Sequence, residues 1–188
     1  MFHVFSAIAL AIAGIIGYRK ARRRVKTLAQ LAGVLPGKAR LRWFSPVFNG
    51  ECDGAAFEIR IESGGSDKLS RLLFSVAVPA RHELRVCARS RWNVFSAAFS
   101  SLKQAKTGEA DFDARFLVLS DEPAAAVLFF ADSERKKRMA DLLDWGWCYI
   151  KVSGGRAQAE KALWLEDDLS PANLQYFIKT LAALCRDV

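Results

Sequence analysis

Histidine and the short cysteine spacings of metal sites are nearly missing from this chain. It has two histidines and four cysteines, Cys52, Cys87, Cys148 and Cys185, spaced 35, 61 and 37 residues apart with no C-x-x-C. That spacing excludes the usual zinc-ligand patterns and a small disulfide framework. Also absent are a Gly-rich phosphate loop, H-E-x-x-H, G-x-S-x-G and an acidic calcium loop. No Lys or Arg stands between Met1 and Phe5, so the positive leader of a secretory signal peptide is missing. His82 follows Pro79 in a loop with nothing local to pair it with a cysteine. The acid clusters Asp111 with Asp113, Asp121 with Glu122, and Glu166 to Asp168 sit at expected element ends, where solvated acids are common. The expectation is a non-catalytic protein with no cofactor and no metal.

What is present argues for a folded body. The 188 residues are 52% hydrophobic and 26% charged, too apolar for a disordered chain and long enough for one domain with an appendage. The net charge of +8 is not spread evenly. Nine cations and no acid lie between Arg19 and Arg42; the remaining 19 cations and 20 acids sum to −1. Nucleic-acid binding by the domain is therefore not expected, since phosphate contact uses a broad positive surface.

The 17 residues from Phe2 to Tyr18 carry no formal charge. As a helix they would span roughly 25 Å, short of but near a bilayer core of about 30 Å. The sequence predicts a single transmembrane helix over 2–18, with a cleaved signal and a buried core helix as the rival readings. A basic juxtamembrane helix or linker over 19–37 and an α+β domain over 38–188 follow. The cation-rich flank places that domain on the cytoplasmic side and the N-terminus outside, at a bacterial inner membrane. Arg19, Lys20, Arg22, Arg23, Arg24 and Lys26 are the expected contacts with anionic lipid. Ala9, Ala13 and Gly17 form a small-residue stripe suited to packing against a second membrane helix.

Beyond the basic block, Val25, Leu28, Leu31, Ala32 and Leu35 recur at helical spacing until Pro36-Gly37. Strands are predicted where Phe57, Ile59 and Ile61, then Leu72, Phe74, Val76 and Val78, then Leu84, Val86 and Ala88 alternate. Asp53-Gly54, Gly64-Gly65 and Gly154-Gly155 mark turns. The stretch 92–102 reads as a short helix, and "RFLVLS", Arg115 to Ser120, as an inner strand. Helices are expected over Pro123 to Ala131, Ser133 to Asp144 and from Ser170-Pro171 onward. Cys148 alternates with Ile150 and Val152, and Cys185 shares a helical face with Leu181 and Leu184, so both are expected in the core. The pattern predicts an α+β domain with a mostly antiparallel sheet and packed helices.

Trp145 and Trp147, and Arg135 and Lys136 in the basic run "ERKKR", are candidate partner contacts. The stretch "TGEADFDARFLVLSDEPAAAVLFF" resembles bacterial membrane-anchored domains of unknown function. In these a Thr-Gly-acid turn and a Phe-Asp pair precede a hydrophobic strand and a short helix. Thr107, Gly108, Glu109, Phe112, Asp113 and Phe116 carry the resemblance. It implies a membrane-anchored cytoplasmic-side domain and no particular reaction. The function expected is an accessory, scaffold or assembly subunit of a membrane protein complex. The alternative is a membrane-tethered module that binds anionic lipid or a small ligand.

Overall fold

The computed structural model describes residues 2–43, 45–62, 70–90, 93, 100–162 and 166–185, with the side chains of 2–13 and 166 excepted. Helix α1, Phe2–Gln30, runs into a 3-10 turn at Leu31–Gly33. Five strands follow: β1 Gly37–Arg42, β2 Ser45–Cys52, β3 Ala55–Glu62, β4 Arg71–Ala77 and β5 Leu84–Ala88. Then come β6 Lys103–Ala105, α2 Ala110–Arg115, β7 Phe116–Ser120, α3 Pro123–Phe129 and α4 Ser133–Asp144. The chain closes with β8 Tyr149–Ser153, β9 Arg156–Lys161, a 3-10 turn at Glu166–Leu169 and α5 Pro171–Leu184.

The nine strands form one sheet in the order β1-β2-β3-β4-β9-β8-β5-β7-β6, and every pairing is antiparallel. Side chains alternate across a strand, so register decides which set is buried. One row runs across all nine strands: Ala39, Phe48, Ile59, Phe74, Ala159, Ile150, Val86, Val118 and Ala105. This face joins the apolar sides of α1, α3, α4 and α5 in one core. Phe48, Phe57 and Phe74 stack at 5.9 and 6.0 Å, Phe177 of α5 meets Phe74 edge-on at 4.9 Å, and Trp147 stacks on Phe177 at 4.0 Å. Each such pair adds about 0.5–1.5 kcal/mol beyond area burial. The opposite face carries a second, smaller buried cluster of Cys87, Leu117 and Leu119, with Leu102 and Tyr149 packed against it.

Local signals explain most boundaries. Asp53 and Gly54, with φ of 51° and 78°, supply the two positive-φ positions that a tight β2–β3 turn needs. The Asp132 side chain accepts from Glu134 N at 2.9 Å and Ser170 Oγ from Asn173 N at 3.3 Å, which caps α4 and α5.

The transmembrane expectation is corrected. Among the described residues, no helix is long and apolar enough to cross a membrane. Residues 2–18 are the first part of a 29-residue helix that passes through the arginines without a break. The uncharged stretch falls a few Å short of a bilayer core, and the charge block is no boundary. Ala21, Leu28, Leu31 and Leu35 are buried, and α1 packs across β1 and β2. From Ala21 on the helix therefore works as part of the domain's cover, while residues 14–20 are exposed. The single-pass topology, with its outside N-terminus and a cytoplasmic-side domain at an inner membrane, loses its basis with the span.

Cys148 is also corrected. It precedes β8 and is exposed, whereas Cys185 is fully buried. Strands β1, β2 and β6 were not predicted. Gly64-Gly65 and residues 92 and 94–99 of the expected helix lie outside the described residues; Asn93 is helical, and residues 100–102 form a bend rather than the end of a helix.

Candidate functional site

Two surfaces stand out, a cationic end and a groove on the sheet face opposite the main core. The cationic end is built by α1 and edge strand β1. On α1 the buried side holds Ala21 and Leu28, which turns Arg19, Lys20, Arg22, Arg23 and Lys26 to solvent. Arg24 differs: it is half-buried, donates from Nη2 to Ser70 Oγ at 2.9 Å, and has its pKa lowered by desolvation. Of the six predicted lipid contacts, five thus share an exposed surface and Arg24 helps fasten the helix. Gly17 is exposed, while the side chains of Ala9 and Ala13 lie outside the described residues.

Strand β1 extends the same charge. Lys38, Arg40 and Arg42 are exposed and alternate with Ala39 and Leu41. At an edge strand such cations also discourage sheet-to-sheet pairing. Trp43 follows in the turn after the strand; it is 90% exposed and its φ is 49°. Tyr18 of α1 lines a shallow hollow with Leu41, Arg42 and Trp43.

The sheet face opposite the main core carries a shallow groove of roughly 410 Å³, lined by Glu58, Arg60, Ser75, Tyr149, Arg156 and Gln158 among others. Polar side chains in and beside it contact one another. Arg60 lies 2.6 Å from Glu58, Arg71 lies 3.2 Å from Glu160, and Arg156 Nε donates to Ser75 Oγ at 2.7 Å. Tyr149 donates its hydroxyl to Glu160 at 3.2 Å, and the Arg85 guanidinium sits 5.3 Å from the Tyr149 ring centre. Burial, then the charge and hydrogen bond of Glu160, push the Tyr149 phenol up against the opposing pull of Arg85. Beside it Cys87 packs with Leu117 and Leu119, and burial pushes its thiol up. A thiol so placed is held in its less nucleophilic form. The face can hold a polar ligand but shows no activated nucleophile among its described residues.

The other candidates have internal duties. Trp147 is buried on Phe177, and Trp145 is half-buried against Tyr176 and Phe177. Arg135 lies over the Phe129 ring at 5.0 Å and 3.6 Å from Asp132, and Lys136 pairs with Glu109 at 2.5 Å. These contacts leave Lys137 and Arg138 as the exposed cations of that run. Asp113 accepts from the backbone N and the hydroxyl of Thr107 at 3.0 Å each, and Asp121 from the backbone N of Glu83 at 2.9 Å. Phe112 packs on Phe116 and Phe130 at 4.9 and 5.4 Å. The Thr-Gly-acid and Phe-Asp stretch is thus a folding device that ties β6 to α2 and β7. Among the described residues, no group of three or more His, Cys, Asp or Glu is placed to hold a metal ion.

Two arrangements escaped sequence reasoning. Trp43 stands in the turn just past β1, a strand with little apolar signal, although the alternation of Lys38, Arg40 and Arg42 is a usable one. Lys161 lies in a core-face row beside Leu72 and meets Asp168 at 2.7 Å, which no local pattern reveals.

Neither a family model nor a curated protein matches the chain. Among solved structures, the crystal structure of the mycobacterial trehalose monomycolate transport factor A, TtfA, is similar. The TM-score is 0.55 at 13% identity, over 90% of this chain and 98% of that one. A likeness at that identity is one of fold alone.

Proposed function

We propose that this chain is a non-catalytic accessory or scaffold subunit of a membrane protein complex, which it meets from the membrane surface. The observation that supports this most directly is the cationic end. Five exposed cations on α1 and three on β1 lie in a segment without an acid, on elements packed into one body. Near an anionic leaflet each cation contributes about 1 kcal/mol at most, and the attraction falls off within a Debye length. Such contact concentrates a subunit at the surface and leaves the groove on the far sheet face for a partner. The test is purification of the full chain in mild detergent at native expression, followed by identification of the proteins that come with it. Reproducible membrane-protein partners support the reading, and a clean monomer refutes it.

The groove favours a second reading, a module that binds a small polar ligand. The Arg60–Glu58 pair and the Arg156–Ser75 hydrogen bond hold polar side chains in place around an open volume. Thermal-shift screening of polar metabolites on the full chain tests it, with loss of any shift in Arg156→Ala as the specific sign.

A further inference from the structure

From the hollow between α1 and the end of β1 we infer that Trp43, with Tyr18 beside it, inserts into the headgroup region of an anionic bilayer. The patch thereby sets which end of the domain faces the lipid. This deepens the proposed function and rests on its membrane-surface contact.

Four observations carry it. Trp43 is 90% exposed, although Trp loses most from being left in water. Its φ of 49° is what the tight turn between the paired Arg42 and Ser45 requires, so the ring stands at the tip of the β1–β2 hairpin. The side chain is not alone: Tyr18 and Leu41 are exposed next to it and share its hollow. Arg42 lines the same hollow, and Arg19 and Arg22 follow Tyr18 on the exposed side of α1.

The chemistry of that set selects the occupant. Trp and Tyr favour the membrane–water interface, where an apolar ring enters the acyl boundary while its polar atom stays among headgroups. Cations around such aromatics add attraction to anionic lipid, and interfacial binding scales with buried apolar area plus that attraction. The absence of any acid from residue 14 to 42 gives charge complementarity to an anionic sheet of lipid. A shallow hollow beside a protruding ring suits a deformable surface better than a shaped protein knob.

The test uses the full chain with vesicles of phosphatidylcholine alone and of phosphatidylcholine mixed with phosphatidylglycerol. Trp43→Ala should keep the parent melting temperature, because the side chain buries almost nothing. It should weaken partition onto the mixed vesicles about tenfold, or about 1.4 kcal/mol, with an unchanged salt dependence. Arg19→Gln combined with Arg22→Gln should flatten the salt dependence. Lipids brominated near the headgroup should quench tryptophan emission in the parent and lose that effect in Trp43→Phe. Equal partition of Trp43→Ala and parent overturns the inference, as does quenching that persists in Trp43→Phe. If Trp43→Ala binds vesicles normally but loses a co-purifying protein, the patch is a protein contact and the lipid assignment is wrong. Failure to recover membrane-protein partners with the parent refutes the accessory-subunit reading instead, and leaves a positive vesicle result standing.

Discussion

Removing the carboxylate of Asp168 should destabilise the domain by about 3 kcal/mol, through the lysine it leaves behind. Lys161 Nζ and Asp168 Oδ1 are 2.7 Å apart, and each side chain is 10% exposed. The ammonium also donates to the Trp145 carbonyl at 2.9 Å and lies 5.4 Å from the Trp145 ring centre. Lys161 ends β9, Trp145 follows α4, and Asp168 lies in the turn before α5, so one charge pair ties three elements. Breaking a buried pair from one side costs about 3–5 kcal/mol, because the surviving charge is stranded. The small residual exposure, with the Trp145 carbonyl still in place, argues for the lower end. For a chain of this length each kcal/mol moves Tm by about 2–4 °C, which gives a drop of roughly 6–12 °C for Asp168→Ala.

The assay is urea and thermal unfolding followed by circular dichroism, with Lys161→Met made singly and in combination. If stranded charge is the cause, adding Lys161→Met to Asp168→Ala should restore more than half of the lost stability, since a buried pair can be replaced by apolar groups at little cost. A single Asp168→Ala within about 0.5 kcal/mol of the parent, the range of ordinary surface substitutions, would refute the reasoning. So would a double variant no more stable than Asp168→Ala.

Gly50→Ala should cost about 1–3 kcal/mol by overpacking, because an added Cβ would fall 2.4 Å from the Pro36 carbonyl oxygen and 2.7 Å from the Phe57 ring; chemical denaturation reads this directly. Cys148 should react promptly with a water-soluble disulfide reagent in the folded chain, while the buried Cys52, Cys87 and Cys185 wait for unfolding; fast modification of three or four thiols would contradict the burial. Burial pushes the Cys185 thiol from an ordinary value of 9.0 up to about 12. Above pH 9 the unfolded chain therefore releases this proton while the folded one keeps it, so stability falls as pH rises from 9 towards 12. Its share of the slope is at most about 1.4 kcal/mol per pH unit. Unfolding of Cys185→Ala across that range should show a shallower decline than the parent, whatever its absolute stability.

Residue patterns revealed the middle and end of the fold because periodicity there is backed by a uniform environment. Phe57, Ile59 and Ile61 alternate and are all buried, and the Leu174, Phe177, Ile178, Leu181 and Leu184 stripe is buried throughout. Strand β7 is apolar on both faces because Leu117 and Leu119 meet Cys87 in a small second cluster behind the sheet. Strands β1 and β2 were hidden for opposite reasons. In β1 only the core-facing side is apolar, and weakly so; in β2, Pro46 and Gly50 break any simple strand signal. Cys148 was misplaced because its alternation with Ile150 was extended one residue beyond the strand. The cationic end was legible as charge, but its shape was not: which arginine fastens the helix and which face solvent depends on a sheet edge that local sequence does not display.

The arginine block shows why that edge decides the outcome. Read along the chain, Arg22, Arg23 and Arg24 are equivalent. Read on a helix packed through Ala21 and Leu28, Arg24 turns inward to Ser70 while Arg22 and Arg23 turn out. Burial of Leu28, Leu31 and Leu35 at about 1.5–3 kcal/mol each is comparable with the whole stability of an ordinary domain, about 5–15 kcal/mol. The last turns of α1 thus do not leave the sheet without threatening the fold, and the cations on their outer side keep a fixed relation to β1 and Trp43. A surface that attracts the helix must then meet the β1 edge in the same approach. The charge therefore acts as an orienting element of a rigid body, and neutralising Arg22 and Arg23 should alter how the domain sits on an anionic surface without altering how firmly it is folded.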